Sequence, residues 1–240
     1  MARRELGMIC TTIAAETCQE MAKKATEGFS LGTDIVEFRI DTLARKTTSA
    51  AISRSLGRFG QKAIVTVRSK EQEGAFLGVE EERLDLISDL SASMKPAYLD
   101  IELETAKRHE TWFKGLTTSP SWSGKTIVSW HDFTGTPELE VMRRARKEAK
   151  GLGDFAKIVT MANTADDNLR LLMLYREDAR GLIAFCMGSD GTASRILSLQ
   201  LGSPVVYASL PGEPVAPGQL SVVTVKTLKT MLTARAEQGS

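Results

Sequence analysis

Eight short apolar runs, separated by stretches of helical pattern, constrain the fold of this chain more than any other feature of its sequence. Each run has the length of a strand, and between runs apolar residues recur every third or fourth position among charges. The runs are MICTTI, DIVEFRI, AIVTVR, AYLDIEL, TIVSWH, FAKIVT, GLIAFCM and PVVYAS. Strands that alternate with helices to the end of a chain predict a parallel sheet covered by helices.

Eight such units within 240 residues leave no further segment of domain size. We therefore expect one domain over residues 1–240, with the α/β fold class of a single (β/α)8 TIM barrel of parallel strands. An open doubly wound sheet is the alternative. The first strand-to-helix turn has no G-x-G-x-x-G, which argues against dinucleotide binding but does not exclude an open sheet.

Helix starts are visible in two places. Thr136 precedes Pro137 and Glu138, which predicts a capping threonine with proline in the first turn, and Thr164 precedes Ala165 in a similar arrangement. The helical patterns include AAETCQEMAKKA, EEERLDLISDLSASM, PELEVMRRARKEAK, ADDNLRLLMLYRED and TASRILSLQL.

Composition points to a small-molecule partner. The formal net charge is +1 and the pI is about 7.7, so neither nucleic acid nor an anionic membrane is expected to bind. The three cysteines, Cys10, Cys18 and Cys186, have no C-x-x-C spacing and indicate reduced thiols of a cytoplasmic protein. The first apolar run is too short for a signal peptide or a membrane span.

Lys157 is the first candidate for chemistry, because it interrupts the apolar strand FAKIVT. One interpretation is an ion pair with a carboxylate such as Glu37 or Asp100, or a lysine that reaches the barrel rim. The other is a nucleophile that forms a Schiff base, since apolar surroundings favour the neutral amine that attacks a ketone.

Of the two histidines, His131 closes the fifth strand, where a barrel places its catalytic groups. It is either a general acid–base or a histidine bonded to the loop backbone. His109 lies in a charged helical pattern and is expected to be a solvated helix residue. An amine and an imidazole on adjacent strands suggest iminium chemistry, in which imidazole removes a proton acidified by the iminium.

Residues 187–195, from the end of strand seven into a helix, have an anion-binding pattern. Glycines expose backbone N–H groups, the helix start contributes positive potential, and Arg195 can hold a carboxylate with two hydrogen bonds. An ordinary turn with a capping serine and a phosphate site are the alternatives.

Five motifs in this order resemble the type I 3-dehydroquinate dehydratase family over nearly the whole chain. They are Glu37–Asp41 (EFRID), Ser129–Phe133 (SWHDF), Lys157–Val159 (KIV), Met187–Arg195 (MGSDGTASR) and Ala216–Gln219 (APGQ). The resemblance implies a lyase of the shikimate pathway that converts 3-dehydroquinate to 3-dehydroshikimate and water. It also implies that Lys157 forms an imine with the C3 ketone, that His131 moves a proton from C2 to the leaving C1 hydroxyl, and that the protein forms a cytoplasmic homodimer.

Substrate-binding roles follow from the same resemblance. Arg195 and Gln219 would hold the carboxylate and hydroxyls of the substrate. Glu37 and Arg39 would contact its ring hydroxyls, and Arg68 would add positive charge beside them. Met187 belongs to the same binding set, and Asp100 would support these residues without contacting the substrate itself. The third loop is one residue longer than the family pattern, so either Glu73 or Glu71 assists His131, with Glu73 preferred beside Gly74. Val215 replaces a hydroxyl residue and removes one hydrogen bond to substrate.

Two rival functions remain from the residues themselves: an aldolase-like Schiff-base barrel that breaks a carbon–carbon bond, and a catalytically silent barrel that only binds. No metal or organic cofactor is expected, because His131 has no second histidine or cysteine at ligand spacing. The lysine itself would supply the electron sink.

Overall fold

The computed structural model describes residues 6–238, with side chains described up to residue 233. Within that range eight parallel strands alternate with helices and form a nearly closed (β/α)8 barrel, as the sequence predicts. The strands are β1 Met8–Ile13, β2 Ile35–Arg39, β3 Ala63–Thr66, β4 Tyr98–Glu102, β5 Lys125–Asp132, β6 Phe155–Met161, β7 Leu182–Met187 and β8 Val205–Ala208. Every predicted run coincides with one of these strands, and the bounds differ by at most about two residues.

Helices follow the strands and cover the outside of the barrel. They are α1 Cys18–Leu31, α2 Ser49–Leu56, α3 Glu80–Met94, α4 Leu103–Arg108, α5 Glu110–Thr117, α6 Leu139–Leu152, α7 Ala165–Glu177, α8 Thr192–Leu201 and α9 Val222–Gln238. Short 3-10 helices occupy Ile40–Thr42, Gly57–Lys62 and Lys70–Gln72. The predicted patterns for α3 and α8 match the observed bounds, whereas α2 and α9 were not among the predicted helices.

Pairing runs through the strands in the order β7-β6-β5-β4-β3-β2-β1-β8. The register aligns Cys10 with Tyr207 between β1 and β8, and Ser129 with Lys157 between β5 and β6. Within residues 6–238, β7 and β8 stand at the two ends of this order and are not hydrogen-bonded to each other. We call the line between them the seam of the barrel.

Two apolar layers result from the alternation of side chains along each strand. Residues such as Cys10, Ile64 and Ile183 pack together inside the barrel, while Val36 and Val128 belong to the layer between strands and helices. The same alternation directs the charged side chains of the central strand positions into the barrel interior. Buried charge in this fold is therefore concentrated inside the barrel.

One predicted helix cap is wrong and one is confirmed. Helix α6 begins after Glu138, and the hydroxyl of Thr136 instead lies 2.8 Å from the Thr160 hydroxyl and donates to the carbonyl of Met161 at 2.9 Å. That oxygen is engaged by β6 and is not available to the helix. Thr164 is the residue before α7, and Asp167 Oδ2 accepts the backbone N–H of Thr164 at 2.9 Å.

The expectation of a solvated helical His109 is wrong. His109 lies at the junction of α4 and α5, with 25% of its side chain exposed, and its Nε2 is 3.7 Å from Glu80 Oε1. The ring packs at the side of the barrel, where the chain changes direction between two short helices. His109 does not line the cavity described below.

The three cysteines are free and buried. No helix in residues 6–238 has the length and apolar character needed to cross a membrane. Residues 1–5 of the arginine-containing start of the chain lie outside the described residues.

Candidate active site

A cavity of about 180 Å³ opens at the carboxyl ends of the strands. This is the end of a (β/α)8 barrel at which ligands bind, because the strand-to-helix loops meet there. The nine residues that the sequence nominates for the site all line it: Glu37, Arg39, Arg68, Glu73, His131, Lys157, Met187, Arg195 and Gln219. The fold thus brings together residues that are up to 182 positions apart, from Glu37 to Gln219.

Lys157 lies at the floor of the cavity because alternation along β6 directs it inward between apolar neighbours. Only 5% of the residue is exposed. Its Nζ donates to Asp100 Oδ2 at 2.8 Å and lies 3.8 Å from Glu37 Oε1. Both carboxylates of the ion-pair interpretation are therefore present, and they hold the amine in a position that faces the cavity.

Asp100 connects the lysine to a second cation. One oxygen accepts from Lys157, and the other accepts from Ser129 Oγ at 2.6 Å and from Arg68 Nη2 at 2.9 Å. Burial alone would raise the pKa of the Asp100 carboxyl, but the Arg68 and Lys157 cations outweigh burial and hold this pKa well below its usual range. Asp100 is thus a permanent anion beneath the amine.

Glu37 is held by hydroxyl groups. Thr12 Oγ1 donates to Glu37 Oε2 at 3.0 Å, and Thr66 Oγ1 donates to Oε1 at 2.8 Å. Strand neighbours β1 and β3 supply these two threonines on either side of β2. The carboxylate is fixed in direction without a bidentate arginine, and it remains on the cavity wall.

A chain of buried charge continues away from the cavity. Arg68 Nη1 lies 3.6 Å from Glu102 Oε1, and Glu102 Oε2 accepts from Arg83 Nη1 at 2.8 Å. Glu102 also accepts the backbone N–H of Ser69 at 2.9 Å, which ties the third loop to β4. From the sequence, Ser129 and Glu102 had no supporting role in the site, although both lie in strand-end motifs, and nothing pointed to Arg83 at all. The spacing of Asp100 and Glu102 was a usable signal, because alternate residues of one strand face the same way.

His131 lies on the wall of the cavity near the end of β5, with its ring stacked on Phe133 at a centroid distance of 5.5 Å. Burial lowers the pKa of the imidazole well below its usual range, and the Arg68 and Lys157 cations add to this, while Asp100 opposes it. The ring is consequently neutral at neutral pH. Its Nδ1 is buried and has no hydrogen-bond partner among the described residues. It is not, in this structure, a histidine whose Nδ1 is bonded to the loop backbone.

The third loop separates the two glutamates that the sequence left as alternatives. Glu73 has a left-handed backbone with φ of 53° and lines the cavity together with His131. Glu71 points outward, and its carboxylate is 3.4 Å from Arg108 Nη1. Asp41 anchors this loop: it receives two bonds from Arg39, at 2.7 and 2.9 Å, and the backbone N–H of Ala75 at 3.1 Å.

Arg195 occupies the other side of the cavity, at the start of α8. It is 4% exposed, its Nε is buried without a partner, and its Nη2 donates only weakly to the Pro217 carbonyl at 3.4 Å. No carboxylate lies within ion-pair distance of it among the side chains that the structure describes. Burial lowers the pKa of the Arg195 guanidinium to about 10. A buried cation in this state is suited to receive an anion.

The glycines near Arg195 do not act as predicted. The N–H of Gly188 donates to the Pro217 carbonyl at 3.2 Å, and the N–H of Gly191 donates to the Gly188 carbonyl at 3.1 Å. Both donors are therefore used within the protein. The capping-serine alternative also fails, because Gly191 is the residue before α8 and Ser194 Oγ donates to its carbonyl at 2.7 Å. Of the predicted anion site, Arg195 is the part whose donors are not used up within the described chain.

Gln219 holds the last loop in place over the cavity. Its Nε2 donates to the Ala208 carbonyl at 2.9 Å and to Thr12 Oγ1 at 3.3 Å, and its Oε1 accepts the N–H of Val215 at 2.9 Å. Gly218 has a φ of +74°, and a side chain there would meet the Gly188 carbonyl at 2.0 Å. The loop after β8 is thus packed directly on the loop after β7.

The barrel and the cavity at the carboxyl ends of its strands define an enzyme of the (β/α)8 class, with buried cations, carboxylates and a neutral imidazole on one wall. The sequence matches the model of the type I 3-dehydroquinase family over residues 9–237. It is 33% identical to a 3-dehydroquinate dehydratase of Methanopyrus kandleri, covering 94% of this chain and 100% of the relative. It is 36% identical to one of Methanococcus maripaludis, covering 94% and 98%.

Solved structures give the same result. The 3-dehydroquinate dehydratase of Geobacillus kaustophilus superposes with a TM-score of 0.85 at 26% identity, over 95% of this chain and 91% of that one. That of Aquifex aeolicus superposes with a TM-score of 0.78 at 30% identity, over 93% and 98%. This chain belongs to the type I 3-dehydroquinase family.

Proposed function

We propose that this enzyme is a 3-dehydroquinate dehydratase, a hydro-lyase that converts 3-dehydroquinate to 3-dehydroshikimate and water through an imine on Lys157. The names of its relatives support the substrate. The observation that carries the chemistry is the buried amine of Lys157 at the floor of a cavity that it shares with the neutral imidazole of His131. Asp100 and Glu37 hold the amine in place.

Lys157 acts first. Its ammonium passes a proton to a neighbouring base, and the free amine attacks the C3 carbonyl of the substrate. The base returns that proton to the carbinolamine hydroxyl, which leaves as water and gives the imine. Once protonated, the imine nitrogen takes the place of the ammonium beside Asp100, so the cation–carboxylate contact is retained. The cation withdraws electrons from C2 and makes a proton on that carbon acidic.

His131 then moves the proton. Because the ring is neutral at neutral pH, it accepts the C2 proton directly. The electrons left at C2 form the C1–C2 double bond as the C1 hydroxyl departs, and the imidazolium returns its proton to that hydroxyl as water leaves. Hydrolysis of the imine releases 3-dehydroshikimate and restores the amine. Glu73, which lines the same cavity, assists His131.

The remaining cavity residues bind the substrate. Arg195 receives the carboxylate, which supplies the anion that its buried guanidinium lacks among the described side chains. Glu37 and Arg39 face the ring hydroxyls, with Gln219 on the loop side. Arg68 adds positive charge, and Met187 provides an apolar wall.

Lys157→Ala tests this proposal. Borohydride reduction of the wild-type enzyme with 3-dehydroquinate should attach substrate-derived mass to the peptide that contains Lys157, and the variant should show neither the adduct nor the ultraviolet absorption of the enone product. Lys125→Ala is the control, since Lys125 begins the neighbouring strand β5 outside the cavity. An active wild-type enzyme that yields no adduct would refute the imine, and release of two carbonyl fragments would indicate an aldolase.

A further inference from the structure

Two aromatic rings connect the two cations to which the proposed function assigns the ketone and the carboxylate. Lys157 Nζ lies 4.4 Å from the centroid of the Tyr207 ring, and Arg195 Cζ lies 4.4 Å from the centroid of the Phe185 ring. The two rings are in contact, with centroids 5.7 Å apart and planes inclined at 46°. The four side chains form one continuous row, and we call Phe185 and Tyr207 the aromatic bridge.

The aromatic bridge crosses the seam of the barrel. Phe185 belongs to β7 and Tyr207 to β8, the two strands that are not paired by backbone hydrogen bonds in the described chain. Both rings are buried, and both line the cavity. The two rings are thus a side-chain contact between two strands that have no backbone ladder between them in the described chain.

Each cation depends on its ring to a different extent. Lys157 has Asp100 on one side and the Tyr207 face on another, so the ring helps to define the direction of the amine. Arg195 has a single weak hydrogen bond, at 3.4 Å, within the described residues. The face of Phe185 is therefore the main contact that orients its guanidinium.

We propose that the aromatic bridge is a positioning device that sets the separation between Lys157 and Arg195, so that one substrate presents its ketone to the first and its carboxylate to the second at the same time. This inference rests on the proposed function, which gives those two residues their ligands. It goes further in assigning the selectivity for a carboxylate-bearing ring ketone to two residues that touch neither reacting bond.

The ring face of Tyr207 carries this role, and its hydroxyl does not. Tyr207 Oη is buried and has no hydrogen-bond partner among the described groups, so removing it leaves no partner unsatisfied. Tyr207→Phe keeps the ring over Lys157, whereas Tyr207→Leu removes it. Tyr207→Phe should therefore keep the position of the Lys157 amine, and Tyr207→Leu should lose it.

The experiment measures how much the carboxylate accelerates imine formation. Borohydride trapping rates are compared for 3-dehydroquinate and for the same ring ketone with hydrogen in place of the carboxylate, in wild type, Tyr207→Phe and Tyr207→Leu. We expect Tyr207→Leu to lower the ratio of the two rates by about tenfold to a hundredfold, the scale of a misplacement of about 1 Å. Tyr207→Phe should keep the wild-type ratio.

Tyr98→Leu is the matched control. Tyr98 and Phe155 form a ring pair with the same 5.7 Å separation, and Lys125 lies over Phe155 at 5.8 Å, but neither ring lines the cavity. Tyr98→Leu tests how the loss of an aromatic ring affects the barrel as a whole, and the ratio of the two trapping rates should not change.

Two results would overturn the inference: an unchanged ratio in Tyr207→Leu, which includes an equal fall in both trapping rates, or a loss in Tyr207→Phe as large as in Tyr207→Leu. The last result would assign the role to a hydroxyl that contacts the substrate. Failure of the proposed function is distinguishable, because the wild-type enzyme would then form no adduct with 3-dehydroquinate at all.

Discussion

The two buried arginines of the cavity, Arg68 and Arg195, have opposite surroundings. Arg68 is bonded to Asp100 and Ser129 and lies near Glu102, and these carboxylates raise the pKa of its guanidinium although burial opposes this. Arg195 is equally buried but has no carboxylate partner among the side chains described. Burial therefore lowers the pKa of Arg195, to about 10.

This difference separates structural charge from ligand-binding charge. On the β2–β6 side of the cavity, every buried charge is compensated within the protein, so that side is held in shape before any ligand arrives. On the side of the seam, the compensation is incomplete in the described chain, and the proposed substrate carboxylate would complete it at Arg195. The cavity thus combines a pre-formed wall with a buried cation that has no carboxylate partner among the described side chains.

Removal of an arginine guanidinium should lower the unfolding free energy most on the compensated side of the cavity, where Arg68 lies. Arg68→Met leaves Asp100 and Glu102 short of a cation in the barrel interior, and breaking a buried pair in this way costs about 3–5 kcal/mol of unfolding free energy. Urea unfolding measures it, with Arg195→Met as the comparison. That second variant should stay within about 1 kcal/mol of wild type, because it removes a charge that was buried without a described partner. Equal losses in the two variants would show that the surroundings of the two arginines do not differ in this way.

Substrate affinity should show the reverse order of sensitivity. Arg195→Gln removes the charge proposed to bind the carboxylate, and we expect kcat/KM to fall by roughly a hundredfold, or about 3 kcal/mol, mainly through KM. Arg195→Lys should be intermediate, since it keeps the charge but loses the two-bond geometry. Arg176→Gln, at an exposed position of neighbouring α7, is the control. A KM unchanged in Arg195→Gln would assign the carboxylate to another residue.

Much of the pre-formed wall could be predicted from the sequence. Lys157 and His131 interrupt or end strands whose β-branched, apolar composition identifies them, so their place at one end of the barrel follows from strand order. Arg83 could not be found this way. In a helix with three consecutive glutamates it has the pattern of a solvated residue, yet it is only 1% exposed because the helix turns it toward Glu102.

The side of the seam was harder to predict, for two physical reasons. Phe185 and Tyr207 are aromatic residues in apolar strands, as many core residues are. Only the direction of their side chains, which point into the barrel as that of Lys157 does, distinguishes them. The choice between Glu73 and Glu71 depends on a 3-10 turn and one left-handed residue, which no periodicity reveals. Loop donors at Gly188 and Gly191 were misjudged because their acceptors, the Pro217 and Gly188 carbonyls, lie in loops whose conformation is not a local property of the sequence.

The smallest of the three effects concerns the pKa of the His131 imidazole. Arg68 on one side of the cavity and Arg195 on the other should influence this pKa unequally. Burial and the Arg68 cation lower the pKa of this imidazole, and Arg195 is not among the main groups that shift it. A lowered pKa keeps the ring neutral as pH falls through about 6.5, so the acid limb of kcat/KM should lie below that of an ordinary histidine. NMR titration can follow the ring directly, because the chain has only two histidines and His109 lies outside the cavity.

Loss of a nearby cation makes protonation easier, so Arg68→Met should move both the NMR titration and the acid limb to higher pH. Arg195→Met should leave both in place, even with its weaker substrate binding. The shift of the first variant is expected to be on the order of one pH unit or less, since burial, the larger cause, is unchanged. An equal shift in both variants would mean that His131 responds to the total charge of the cavity. The difference between the compensated wall and the Arg195 side would then not extend to the residue proposed to transfer the proton.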